Sequence, residues 1–546
     1  MSADLILAAK CDVALARHSC EGRTKARHTR VEQPKAGPEG ASEASHPATL
    51  HEQSRRRWIP AFAGMTSVLR YSSFFAALAL AGCASVGPDY QPPSAAPMQL
   101  QGMDAARENH ARFQAQWWKQ FGDPTLDALI RRAAAGNLDL RIAVARLAES
   151  RALLGGAKSQ RWPSVDAGID YRRSDEQQPG FTTQRVPVSS YQAGFDASWE
   201  LDLFGGVRRS VEAARADLGA SEAELQDAQV SLFAEVARNY FALRGTQQRQ
   251  AIARRNIANQ GDTLKVIRAR AEAGTASEQD VASASAQLSA VQAQLPLLDM
   301  QARASEYRLA VLLGERPGEL DVDVSPRDFR PIATVLPIGA AGDVLARRPD
   351  VRAAERAYAA ATARIGVAKA DFFPHLSLGG FLGFLAGRSN DFGSPSTRAW
   401  SIAPSITWSG LNVQRVRANL RASEARADAA QANYRRTVLE AIEDVDNAVV
   451  GYNQQHARVE KLIEQARDSR RAADLARIRY TEGATGFLEL LDAERVQLAA
   501  EDALVQGEAD IDTRAVALYK SLGGGWQACG DARCAQVAQA AAAAAP

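Results

Sequence analysis

The sequence predicts an α+β membrane protein built from two internal repeats, with long helices in one part and a β-barrel shared by several chains in another. Three observations support this fold class. A secretory leader ends at a cysteine, one half of the chain resembles the other, and stretches of helical period alternate with stretches of period two. Such a chain would join a water-facing helical part to a membrane-facing sheet.

The leader occupies residues 65–82. Arg70, a short apolar run and a series of small residues precede Cys83, which is the pattern of a secretory signal peptide. The run is far shorter than the roughly 20 apolar residues of a membrane-spanning helix, and no later stretch is long enough either. The tetrad Leu80-Ala81-Gly82-Cys83 resembles the bacterial lipobox, which implies an N-acyl diacylglycerol lipid on Cys83. The alternative is an ordinary signal peptide with an incidental cysteine.

The residues on either side of the leader suggest its destination and its start. Ala84 follows the cysteine, whereas lipoproteins retained in the inner membrane commonly carry Asp there, so the resemblance implies sorting to the outer membrane. Residues 1–64 show no periodic pattern, and a signal peptide works poorly behind such a stretch. We therefore expect translation to start at Met65 and residues 1–64 to be a wrongly assigned extension.

The duplication appears as identical residues at a nearly constant separation. An offset of 209 residues carries Trp199 onto Trp408, and three further pairs share this offset. Upstream of these pairs the offset is 211. The repeats therefore cover residues 125–314 and 348–523.

Each repeat is expected to contain one very long helix and two shorter ones. Asp123-Pro124 is a start signal, with a carboxylate as N-cap and proline at the first helical position, and Pro163 ends this first helix. Residues 206–273 contain no proline and have helical spacing, so this helix spans roughly 100 Å at about 1.5 Å per residue. The shorter helices can stack end to end beside it. The expected bounds are 125–158, 206–273 and 277–313, then a helix beginning at 348, followed by 412–482 and 487–521.

Two pairs of strands separate these helices. Apolar and polar residues alternate along them, as at Tyr191, Phe195 and Trp199, and Pro404 marks a bulge because proline lacks a backbone donor. A soluble sheet packed on helices is the plain alternative, but the leader favours lipid-facing strands. Closed membrane barrels start at about eight strands, so several chains must share one barrel whose polar face lines water. The expected strands are 164–173, 189–203, 375–385 and 400–408.

These features resemble the TolC-type outer-membrane factors, in particular the NodT-like lipoprotein branch that serves resistance-nodulation-division efflux pumps. The resemblance covers nearly all of 80–523 and rests on the duplicated plan and on three motifs. It implies a homotrimer with one twelve-stranded barrel in the outer membrane and a periplasmic tube of twelve helices. Small molecules would pass through it from an inner-membrane pump and a periplasmic adaptor. The motifs are Cys83-Ala-Ser-Val-Gly-Pro-Asp-Tyr90, Trp117-Trp118-Lys-Gln-Phe121 and Trp199-Glu-Leu-Asp-Leu-Phe204-Gly205.

Composition and motifs argue against other classes of protein. Lys plus Arg (65) nearly balances Asp plus Glu (63) and no basic block stands apart, so we expect no nucleic-acid partner. Phosphate, zinc and nucleophile motifs are absent, so we expect neither an enzyme nor a cofactor other than the lipid on Cys83. Two alternatives stay open, namely the outer-membrane component of a type I secretion system and a structural envelope lipoprotein without a pore.

The resemblance assigns roles to residues around two turns between helices. It implies that the periplasmic tips of the helices dock on the adaptor, where glycine permits a tight turn. Glu489 and Asp492 match the family's two carboxylates at the narrowest point of the pore. Rings of these acids would favour cations and could bind a divalent ion, whereas the alternative is that they are solvated surface acids. The tip residues are Gly274, Thr275, Ser277, Gly483, Ala484 and Gly486.

By the same matching, Tyr480 and Asp280 occupy positions that link neighbouring helices when the pore is closed. The family's second link uses an Arg where this chain has Thr485, opposite Gln279, so only one of two constraints is present.

Three segments lie outside the repeats. Residues 83–124, 315–347 and the tail 524–546 are expected to band the outside of the helical tube. Cys529 and Cys534 lie in the tail, and either a short disulfide or two free thiols fits an oxidising compartment.

Overall fold

The computed structural model describes residues 85–93, 115–177, 183–327 and 341–528. In the first repeat it contains α1 (Pro124–Gly136), α2 (Leu138–Ser159), β1 (Ser164–Gln177), β2 (Arg185–Leu201), α3 (Gly206–Glu272) and α4 (Glu278–Leu313). The second repeat begins before the expected residue 348 and contains α5 (Ala341–Arg347), α6 (Pro349–Ala370), β3 (His375–Ala386), β4 (Arg398–Thr407), α7 (Val413–Thr481) and α8 (Phe487–Ser521). No helix in these ranges combines the length and apolarity that crossing a membrane requires.

The first helix of each repeat is broken, so the expectation of one continuous helix over 125–158 was wrong. Asn137 takes an extended conformation, its side-chain oxygen accepts from Leu140 N at 2.9 Å, and its amide donates to Leu312 O at 2.9 Å. The side chain therefore caps the start of α2 and the end of α4 together, and these two helices meet end to end. Arg348 occupies the equivalent break in the second repeat, where its guanidinium donates to Ser521 O at 2.9 Å.

The four strands form one antiparallel sheet in the order β1-β2-β3-β4. β1 and β2 run further than expected, because the segment from Arg172 onwards pairs with Arg185–Ser190 beyond the point where β2 meets β3. In β1 the alternation stops at Tyr171 because every residue from Arg172 to Gln177 is polar, so no period-two pattern marks the rest of the strand. β1 and β4 are the two edges of the sheet.

The repeats use the same device to fasten strand to helix. Trp199 at the end of β2 donates its indole N–H to Arg161 O at 3.0 Å, and Trp408 after β4 donates to Phe372 O, also at 3.0 Å. Both acceptors lie in the short turn between a helix and the following strand. The duplicated tryptophans thus hold the sheet against the helices at equivalent places.

The main core lies midway along the helices. Trp117 is fully buried and stacks on Tyr519 with ring centroids 5.2 Å apart, and Trp118 packs edge-on against Phe233. Tyr240 donates its hydroxyl proton to Asp123, the N-cap of α1, and accepts from Arg244 Nε at 2.9 Å. Burial, together with the hydrogen bond to Asp123, raises the pKa of Tyr240 to about 12. This core fixes the midpoint from which the long helices extend.

Candidate functional site

The two tip turns have the same backbone geometry. Gly274 and Gly483 have φ angles of 75° and 73°, which favour glycine. Thr275 N donates to Arg270 O at 2.8 Å, and Ala484 N donates to Arg479 O at 2.8 Å. Both turns are therefore Schellman motifs that reverse the chain over a few exposed residues.

The helices that follow the turns begin differently. Ser277 caps α4 with a capping box, in which its hydroxyl accepts from Asp280 N at 3.1 Å and its backbone N donates to the Asp280 carboxylate at 3.0 Å. Gly486 stands at the equivalent position before α8 and has no side chain to cap the helix. Glu489, which corresponds to Asp280, consequently has no capping partner and is exposed. The acid at this helical position is therefore engaged in an N-cap in α4, as Asp280, but makes no such contact in α8, as Glu489.

Glu489 and Asp492 lie on one exposed face of α8. They are three residues apart, which corresponds to about 4.5 Å of helix rise. Asp492 is 65% exposed and pairs with Arg495 at 2.8 Å, a contact of the kind that contributes roughly 0–1 kcal/mol. Within the described ranges no group of three His, Cys, Asp or Glu side chains could hold a metal ion, so a cation site here would need carboxylates from several chains.

The expected closed-state pair is not formed within one chain. Asp280 is engaged in its capping box, whereas the Tyr480 ring lies under the Arg270 guanidinium at 4.6 Å and 5.8 Å from the Phe487 ring. Among the described contacts, none joins Tyr480 to Asp280. The Thr485 hydroxyl is buried without a hydrogen-bond partner in the described part of the chain, and Gln279 is exposed.

A buried cluster above the tip was missed by the sequence analysis. Glu494 on α8 accepts from Gln260 Nε2 of α3 and from Arg477 Nη2 of α7, both at 2.9 Å, and only 5% of its side chain is exposed. The three helices are thereby tied together five residues beyond Glu489. The sequence does contain one indication of this buried acid. Glu494 lies on the same helix face as the apolar residues Phe487 and Leu490, so it interrupts an apolar stripe.

The sheet has one apolar and one polar face. Ile169 is 85% exposed and Trp400 is 74% exposed, and both lie on the apolar face. On the opposite face Asp166 of β1 and Asp196 of β2 lie directly across from each other in the strand register. Soluble proteins seldom leave such a contiguous apolar surface open, so this face fits a lipid environment.

The N-terminal segment 85–93 crosses the junction between sheet and helices. Arg209, only 4% exposed, donates to Val86 O at 3.2 Å and to Asp89 at 2.6 Å. Val86 N donates to Phe204 O at 3.1 Å, between the end of β2 and the start of α3. The segment is therefore fixed where β2 ends and α3 begins. Cys83, which precedes it, and Cys529 and Cys534 lie outside the described residues.

Comparisons with known proteins agree with this architecture. The family model described as outer membrane efflux protein matches residues 129–315 and 340–524. The pyoverdine export outer membrane protein OpmQ of Pseudomonas aeruginosa is 34% identical over 474 residues, which cover 84% of this chain and 98% of that protein. Nodulation protein T of Rhizobium leguminosarum is 27% identical over 459 residues, covering 84% of this chain and 97% of that protein.

Solved structures show the same fold. The outer-membrane channel OprN is 48% identical with a TM-score of 0.79, covering 81% of this chain and all of that one. The open state of the MtrE outer membrane channel of Neisseria gonorrhoeae is 31% identical with a TM-score of 0.71, covering 81% of this chain and 99% of that one. The resemblance to NodT-like outer-membrane factors is thus confirmed, and the chain belongs to the outer membrane efflux protein family.

Proposed function

We propose that three copies of this outer-membrane efflux protein join their sheets into one twelve-stranded barrel and their helices into one periplasmic tube. The observation that carries this proposal is a sheet of only four strands whose apolar face is exposed and whose outer edges, on β1 and β4, pair with no other strand among the described residues. In lipid, backbone groups on an open edge would lack hydrogen bonds at several kcal/mol each, so the edges must pair between copies. The assembled tube is the exit duct for a periplasmic adaptor and an inner-membrane pump, here of the resistance-nodulation-division type.

The lipid anchor is part of the same proposal. Cys83 lies two residues before Ser85, whose Cα and Cβ pack against Gly205 at the junction of sheet and helices. A lipid on Cys83 would therefore insert beside the apolar face of the sheet, at the inner surface of the outer membrane. Several acyl chains, at about 0.8 kcal/mol for each buried CH₂, make a stable anchor. A Cys83→Ser variant that still incorporates labelled palmitate would contradict this assignment.

The aperture is assigned to the free ends of the helices. Three copies of Glu489 and Asp492 form two carboxylate rings that favour cations and can bind a divalent ion. The tip turns, with Gly274 and Gly483 at their centres, meet the adaptor. When the pore closes, Tyr480 of one helix reaches Asp280 of a neighbouring helix, which requires Asp280 to share its capping box.

Single-channel recordings test the aperture. Purified full-length chain in a planar bilayer should conduct with cation selectivity, and the double variant Glu489→Gln with Asp492→Asn should lose several-fold in the cation-to-anion permeability ratio. Glu278→Gln removes an exposed acid from the first turn of α4 and should leave this ratio unchanged. Equal selectivity in the wild type and the double variant would assign both acids to the solvated outer surface instead.

A further inference from the structure

The apolar face of the sheet carries a depression near its hairpin end. It has a volume of about 600 Å³, and the small side chains of Ala167 and Ala193 leave it open. Ile169, Phe195, Leu382 and Phe384 also line it. The depression is therefore an apolar groove on the surface that the proposed function places against lipid.

A cation stands at the end of this groove. Arg398 is the first residue of β4, pairs with Phe384 of β3 and lines the groove. It is exposed and makes no ion pair with an acid in the described part of the chain. A lipid-facing Arg is costly at the bilayer midplane and far less costly near the interface, so an anionic partner at interface depth suits this position.

An aromatic pair marks the depth of the groove. Tyr171 and Tyr191 face each other across β1 and β2 with ring centroids 4.7 Å apart. They lie two residues closer to the hairpin end than Ile169 and Ala193, which line the groove. Tyrosines gather at the membrane–water interface, so the groove lies just inside that interface, at the depth of acyl chains, with Arg398 within reach of headgroups.

We propose that this groove binds a phosphorylated glycolipid of the outer leaflet, of the lipid A type, with an acyl chain in the groove and a phosphate on Arg398. The inference rests on the proposed function, because the hairpin ends point to the outer leaflet only if the helices lie in the periplasm. Guanidinium binds phosphate through two parallel hydrogen bonds, which gives the groove a preference for phosphate-bearing lipids over neutral ones. The glycolipid thus fastens the barrel in the leaflet where such lipids are found.

Native mass spectrometry of the full-length chain in detergent tests the proposal. Wild-type protein is titrated with lipid A, with dephosphorylated lipid A and with phosphatidylglycerol. We expect lipid A to bind about tenfold more tightly than its dephosphorylated form, because only the phosphorylated lipid supplies a partner for Arg398. Equal binding of phosphatidylglycerol would overturn the assignment to the outer-leaflet glycolipid.

Three variants locate the site. Arg398→Ala should lose about tenfold in affinity for lipid A, and Ala193→Leu should weaken lipid A and its dephosphorylated form alike because it fills the groove. Arg172→Ala is the matched control, since Arg172 neighbours Tyr171 on β1 and points to the opposite face. If either Arg398→Ala or Ala193→Leu binds lipid A as the wild type does, the groove with Arg398 is not the site.

Bilayer conductance of the same preparations separates this inference from the proposed function. Variants that conduct like the wild type but bind lipid A less tightly support the glycolipid site. A conducting wild type with unchanged lipid binding in Arg398→Ala refutes only the glycolipid site, whereas a wild type that never conducts refutes the duct itself.

Discussion

Removing the Glu494 carboxylate should loosen the helices just above the tip. This side chain is almost fully buried. It accepts one hydrogen bond of 2.9 Å from Gln260 of α3 and another of 2.9 Å from Arg477 of α7, so it joins both helices to α8. Glu494→Ala leaves the Gln260 amide, itself only 3% exposed, without its acceptor. The perturbation acts on helix-to-helix contacts and leaves the exposed acids Glu489 and Asp492 in place.

The expected change in the free energy of local opening depends on how deeply the two donors, the Gln260 amide and the Arg477 guanidinium, are buried. A buried amide left without a partner costs about 1–3 kcal/mol. The Arg477 side chain is 49% exposed, so its contact with Glu494 counts only about 0.5–1 kcal/mol after solvent screening. Glu494→Ala should therefore lower the free energy of local opening by about 1.5–4 kcal/mol, which is about 12-fold to 700-fold in the opening equilibrium.

Hydrogen–deuterium exchange measured by mass spectrometry reads this quantity directly. Peptides from the first turns of α8 should exchange faster by the same factor in Glu494→Ala. Glu494→Gln should show a much smaller effect, because its amide can donate to Gln260 Oε1, which has no hydrogen-bond partner in the described part of the chain. Asp492→Asn is the exposed control and should exchange like the wild type. Unchanged protection in Glu494→Ala would refute the view that this cluster holds the three helices.

Three further predictions concern stability. Trp199→Phe and Trp408→Phe should each lower the free energy of unfolding by about 1 kcal/mol, because each variant loses one hydrogen bond to a carbonyl at the end of a helix. The loss is measured as a lower denaturant midpoint, and the effects of the two substitutions should add in the double variant. Trp400→Phe, whose indole makes no hydrogen bond to the described residues, is the control, and an equal loss there would contradict the reasoning. Gly486→Ser should slow amide exchange in the first turn of α8, because the backbone at 486 is extended and a serine N-cap adds a few tenths of a kcal/mol over glycine. Ser277→Gly should speed exchange in the first turn of α4 by a similar amount, and no change in either variant would show that caps do not limit tip opening. Burial, reinforced by the charge of Asp350, raises the pKa of Asp227, so the unfolded chain ionises this acid first as pH rises and its ionisation destabilises the fold at neutral pH. Asp227→Asn should therefore raise the melting temperature at pH 7, with the gain vanishing below the ordinary pKa of 3.8, and a gain that persists at low pH would have another cause.

Periodicity predicted most of the helices and strands because their stripes recur over many residues. The long helix was expected at 206–273 and runs Gly206–Glu272, and the strand expected at 375–385 runs His375–Ala386. The tip turns were equally accessible, since glycine at matching positions of two repeats specifies a left-handed turn.

The features that were missed depend on partners far away in the chain. The break at Asn137 exists because its amide reaches Leu312, at the end of another helix, and no local pattern encodes that contact. Glu494 is buried only because Gln260, from the other repeat, supplies a donor. The sequence alone gave no reason to select Arg398. Only the strand register places it beside Phe384, at the end of an apolar groove.

The central claim is that copies of this chain close one conducting tube. The direct test is the mass of the purified full-length protein in detergent, measured together with its conductance in a planar bilayer. The account predicts an assembly of three chains that forms discrete, cation-selective channels. A monomer without conductance would contradict it, because a four-stranded sheet with open edges would then be the final state of the protein.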